Sequence, residues 1–109
     1  MKKQLNLTYE GKDYCLEYTR KSVEAMEKNG FIASDINDKP MTVLPALFKG
    51  AFIANHRFVK DDVIEGIYSK LTNKVDLIGK LSEMYNEPIM ALFDEPEESE
   101  GNVEWTASW

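Results

Sequence analysis

The chain has 109 residues, 43% of them hydrophobic, with one cysteine and a formal net charge of −6. That length gives one domain with enough core to fold without disulfides or metal, and the lone Cys15 excludes an internal disulfide and suits a reducing cytosol. The opening MKKQLNLTYE has no apolar run behind its lysines, so it does not read as a signal peptide, and no stretch reaches the roughly 18 apolar residues of a membrane helix.

Residues 4 to 18 read as a β-hairpin. Leu5, Leu7 and Tyr9 alternate onto one face, and Tyr14, Leu16 and Tyr18 alternate on the return. Between them Glu10 to Asp13 forms the turn, with Gly11 free to take positive φ. Cys15 alternates with Tyr14 and Leu16 and so points the other way. A lone hairpin is marginal in water and must pack on something.

Thr19 is a good N-cap for a helix running to about Asn29, stopped by Gly30. Its apolar positions, Val23 and Met26, are few, so it lies on a surface. Gly30 to Pro40 reads as a loop anchored by Phe31, Ile32 and Ile36. Met41 to His56 is the most apolar segment and predicts the central helix, capped by Thr42, with Pro45 in its first turn. Gly50 and Ala51 are small, which predicts close approach of another element. Asp61 opens a helix with a stripe of Val63, Ile64, Ile67, Tyr68 and Leu71. Asn73 caps a longer one, whose stripe of Leu77, Ile78, Leu81, Met84, Tyr85, Ile89 and Leu92 persists across Pro88 and predicts a kink near Asn86.

After Phe93 the periodicity ends. Six of the nineteen acidic residues, Asp94, Glu95, Glu97, Glu98, Glu100 and Glu104, fall in residues 94–109, which hold no Lys or Arg. The remainder balances thirteen acidic against thirteen basic residues. The fold class is therefore α+β, mainly α. An N-terminal β-hairpin packs on about four helices in a body of residues 1–93, followed by a disordered acidic C-terminal tail, 94–109.

The residues offer little chemistry. His56 has no Cys, Ser or Asp motif around it and reads as a histidine complementing a helix C-terminus. Neither it nor Cys15 has metal-ligand spacing, so no catalytic residue, metal or cofactor is expected. Glu83 and Glu87 read as a solvated edge. The pair of helices after Asp61 is a poor groove reader, and a neutral body has no electrostatic reason to approach nucleic acid. Protein–protein binding remains. Both tryptophans, Trp105 and Trp109, sit on the tail, and large aromatics dominate interface hot spots.

Four stretches carry a resemblance: YTRKSVEAMEKNGF (18–31), KPMTVLPALFKGAFIANH (39–56), LIGKLSEMYNEPIMALF (77–93) and the closing GNVEWTASW. In that order they resemble the tail assembly chaperones of long-tailed phages and prophages of Gram-positive bacteria, over nearly the whole chain. The resemblance implies a non-enzymatic protein of the host bacterial cytoplasm, absent from the mature virion. Its implied partners are the tape measure protein, the tail tube protein that replaces it, and a frameshifted longer form of itself, with self-association as a further expectation. A bare apolar tape measure helix would aggregate, and a helical chaperone can offer it a groove. Val43, Leu47, Phe48, Phe52, Ile67, Tyr68, Leu81, Met84 and Tyr85 are the pool for that groove, although apolar positions at helical spacing serve a core equally and most of the pool is expected there. Val103, Trp105 and Trp109 complete the partner-binding set. The alternative is a phage-encoded regulatory or anti-host protein acting through its acidic tail.

Overall fold

In the computed structural model, residues 3–94 and 101–109 are described. Strands β1 (Leu5–Tyr9) and β2 (Lys12–Leu16) pair antiparallel, with Leu5 opposite Leu16 and Leu7 opposite Tyr14. Glu10 and Gly11 alone make the turn, at φ +50° and +77°. Two consecutive left-handed residues match the twist of the flanking strands. The turn is thus shorter than the four residues expected, and Lys12 and Asp13 already belong to β2. The predicted inner face is the buried one: Tyr14, Leu16 and Tyr18 are in the core, and Leu5, Leu7 and Tyr9 pack against it.

Helix α1 (Arg20–Lys28) begins as expected. The Thr19 hydroxyl accepts from the Ser22 N–H, and the Ser22 hydroxyl accepts from the Thr19 N–H, which closes a capping box. Only Ser22, Val23 and Met26 of α1 are buried. The following loop holds a 3-10 turn, Ala33–Ile36. Phe31 packs against Tyr85 with ring centroids 5.5 Å apart. Ile32 is exposed and is not anchored in the core, contrary to expectation.

The apolar middle segment divides in two. Helix α2 spans Pro40–Gly50 and a single turn, α3, spans Ile53–His56. Pro40 occupies the first helical position, where its fixed φ is pre-organised and its missing N–H costs nothing, so the helix starts before Thr42 and Pro45 falls in its interior. The division has a tertiary cause. The Glu17 N–H donates to the Ala51 carbonyl at 3.1 Å, which diverts that carbonyl from the helical ladder. The Ala51 and Phe52 N–H groups tighten onto Phe48 and Lys49, three residues back. The close approach predicted at Gly50 is to α1: a Cβ there would run into the Met26 thioether.

Helix α4 (Asp61–Lys70) buries Ile64 and Ile67. Helix α5 (Lys74–Ala91) continues through Pro88 and buries Leu77, Leu81, Met84 and Tyr85. Asn73 precedes it in the left-handed region, φ +53°, and its side chain makes no capping hydrogen bond. Leu92 and Phe93 are exposed, so the apolar stripe ends before the position expected for Leu92. The protein is α+β and mainly α: among the described residues a two-stranded hairpin packs with four helices of nine residues or more, the short α3 and the 3-10 turn Ala33–Ile36. Residues 101–109 form neither helix nor strand. Glu95, Glu97, Glu98 and Glu100, on which most of the expectation of a disordered acidic tail rested, lie outside the described residues.

His56 and Asn55 have a role that local sequence did not show. The Cys15 N–H donates to His56 Nε2 at 3.0 Å, and Asn55 Nδ2 donates to the Cys15 carbonyl at 3.2 Å. The two side chains satisfy the open edge of β2 as a further strand would. Tyr14 and Phe52 flank the imidazole edge-on. His56→Ala should leave the Cys15 N–H without its acceptor, at a cost of about 1–3 kcal/mol. The urea midpoint should fall and the Cys15 amide should exchange faster, with partial recovery in His56→Gln.

Candidate partner-binding surface

Most of the expected groove pool is core. Val43, Leu47, Phe48, Phe52, Ile67, Leu81, Met84 and Tyr85 are all buried, and Tyr68 is half-buried against Phe48. Their rings stack in a chain: Tyr14 meets Phe52 at 5.8 Å, Phe52 meets Phe48 at 5.2 Å, and Phe48 meets Tyr68 at 5.1 Å. Fully burying one such side chain stabilises the fold by about 1.5–3 kcal/mol. No partner reaches Phe48 or Phe52, each 1% exposed, without opening the body.

The open apolar concavity lies elsewhere, between the C-terminal end of α1, the loop after it, and the outer face of α2. Its volume is about 540 Å³, within the range of small-ligand and side-chain pockets. Phe31, Ile32, Val43, Ala46 and Ile53 supply its apolar wall, and Met26 and Gly50 its floor, where the missing Cβ of Gly50 lets α1 and α2 close together. Asn29, Asp35, Lys39, Thr42 and Lys49 set the polar rim. Lys49 is paired with Asp61 at 2.9 Å. At the head of α2 no side chain caps the helix and no acidic residue occupies the first turn, and Lys39, the residue before Pro40, stands on the rim with Asp35.

A family model described as Domain of unknown function (DUF5055) matches residues 1–109. The chain belongs to this family. No curated protein and no solved structure matches it.

Of the residues that the sequence of this DUF5055 chain put forward, only Val43 lines the cleft. Val103, Trp105 and Trp109 are exposed, the two indoles at 81% and 103% of full accessibility. Other exposed apolar side chains are Met41 on the first turn of α2, Phe58 after α3, Val75 on the first turn of α5, and Met90, Leu92 and Phe93 at the end of α5. Sequence reasoning missed Phe31, Ile32, Ala46 and Ile53 as one surface. The pair Gly50–Ala51 was the available signal, because two small residues in an apolar helix mark a close crossing beside which a cleft can open. Glu83 and Glu87, read as a solvated edge, receive the N-terminus of the hairpin. The Lys3 N–H donates to the Glu87 carboxylate at 3.1 Å and the Lys3 ammonium lies 3.9 Å from Glu83. Among the described residues no group of three His, Cys, Asp or Glu is placed to hold a metal, and no helix is long and apolar enough to cross a membrane.

Proposed function

We propose that this protein is a non-enzymatic phage tail assembly chaperone. In this reading, many copies cover the apolar helical tape measure protein in the host cytoplasm until tail tube subunits displace them. The observation that carries the reading is the open α1–α2 cleft, whose apolar wall has no occupant among the described residues, while the aromatic side chains of the core are buried. The ordered resemblance to tail assembly chaperones supports it. An amphipathic segment can lay one or two apolar side chains into the cleft and rest on Met41 and Ile32 beside it. Each such contact is weak, which suits a coat that must come off, and binding strength comes from many copies on one long partner.

Co-expression provides the test. The protein should keep in solution a tape measure fragment that is insoluble alone, and the complex should survive salt through the physiological range, because apolar contact is little screened. Ala46→Glu puts a carboxylate into the cleft wall and should abolish that rescue while the helical circular dichroism stays unchanged. A complex that dissolves on raising salt would favour the acidic tail, and with it the regulatory or anti-host reading. A fragment rescued equally by Ala46→Glu would remove the cleft from the mechanism.

A further inference from the structure

We infer that, in the free protein, the α1–α2 cleft is the receptor for the C-terminal segment Val103–Trp109 of a second copy of the same chain. The inference shares the cleft with the proposed function but needs no tape measure protein. The two surfaces complement each other in chemistry. The cleft joins an apolar wall to a rim that carries Lys39 at the head of α2, where no side chain caps the helix, with Asp35 also on the rim. The tail joins two indoles and a valine to six carboxylates between Asp94 and Glu104, with no cation among them. With Trp105 in the cleft, the Glu104 carboxylate next to it falls near the mouth, where a helix N-terminus favours negative charge.

The occupant is a second copy because this chain's own Val103, Trp105 and Trp109 are exposed and none of them lines the cleft. Trp109 is fully exposed and Trp105 nearly so. Donor tail and acceptor cleft are different surfaces, so the contact is heterologous. A pair joined by one such contact still presents one free cleft, on the donor, and one free tail, on the acceptor. Copies can thus line up head to tail, the form a coat along an extended helix requires. An amphipathic helix that enters a cleft competes with the neighbouring tail for it.

Because the only two tryptophans are on the tail, intrinsic fluorescence reports on the tail alone. Emission should be red at high dilution and move to the blue as protein concentration rises, with sedimentation showing growing species in parallel. Raising salt should weaken the association, since part of it is charge pairing. Lys39→Glu inverts the mouth, yet a carboxylate at a helix N-terminus favours the fold. It should weaken self-association by about tenfold or more.

Mixing isolates the mode. Lys39→Glu combined with Ala46→Glu keeps the tail and loses the cleft, while Trp105→Ala combined with Trp109→Ala keeps the cleft and loses the tail. Each alone should stay monomeric. Mixed, they should form a one-to-one complex with blue emission, all of it from the first chain. Blue emission that does not change on dilution would place each tail on its own body and overturn the inference. So would emission that stays red at every concentration, or a shift that appears only when a tape measure fragment is added, or one that the cleft substitutions leave intact. None of these results touches the co-expression test, which stands or falls separately.

Discussion

Phe48→Ala is expected to cost about 3–5 kcal/mol of stability, a large part of the roughly 5–15 kcal/mol that holds a domain of this size together. Phe48 is almost wholly buried, and its ring lies within 5.2 Å of Phe52 and 5.1 Å of Tyr68, centroid to centroid. Removing it breaks the aromatic chain in the middle, between α2 and α4, and leaves a void that neither neighbour can fill without leaving its rotamer. Urea unfolding should show a midpoint far below that of the parent. Met41→Ser, on the exposed side of the same helix, should stay within about 0.5 kcal/mol of it. The comparison matters for function. Leu47, Phe48 and Phe52 were candidates for partner contact, and a core substitution will abolish binding simply by unfolding the protein. Loss of binding therefore assigns a contact only when it occurs at exposed positions such as Ile32, Met41 or Trp105 with stability unchanged. A Phe48→Ala protein within about 1 kcal/mol of the parent would show that the ring chain is not the core.

The elements that local pattern dictates were legible in the sequence. Period-two alternation over Leu5–Tyr9 and Tyr14–Tyr18 fixed both the hairpin and its inner face. Thr19 and Gly30 bracketed α1, and the stripe from Leu77 carried α5 across Pro88. What escaped depends on partners distant in the chain. The break after Gly50 is made by the Glu17 N–H reaching the Ala51 carbonyl, so no window around Gly50 contains its cause. The Asn55–His56 clamp on Cys15 spans 40 residues or more, and nothing near His56 announces it. The candidate site was the least legible part. A buried leucine and a cleft-lining isoleucine have the same spacing and chemistry, and only packing decides which faces water. Hence Leu81 and Met84 turned inward, while Phe31, Ile32, Ala46 and Ile53 came together from three elements that the sequence lists separately.

The second large effect appears in alkali. The Tyr18 hydroxyl donates to the Leu47 carbonyl, which the tightened end of α2 leaves free because the Ala51 N–H turns to Phe48 instead. Burial pushes the Tyr18 pKa far up, and the negative charge that Tyr85 would acquire adds to the shift. Tyr85, packed edge-on against Tyr18 with centroids 5.5 Å apart, is raised too, by burial first and then by Glu27. The direction of the pH effect follows. Above about pH 10 the unfolded chain releases these phenolic protons and the folded chain keeps them. The folded state then binds more protons, so stability is fully present below that pH and declines as pH rises. The slope is about 1.4 kcal/mol per pH unit for each retained proton. Phenolate absorbance and circular dichroism should therefore show Tyr18 ionising together with a cooperative loss of helix. Tyr18→Phe separates the two contributions of the hydroxyl. It deprives the Leu47 carbonyl of a donor, so stability near neutrality should drop by about 1 kcal/mol. It also removes one retained proton, so the alkaline decline should become shallower. Identical alkaline limbs in parent and Tyr18→Phe would mean that Tyr18 ionises without unfolding the chain, and its burial between the hairpin, α2 and α5 would have to be abandoned.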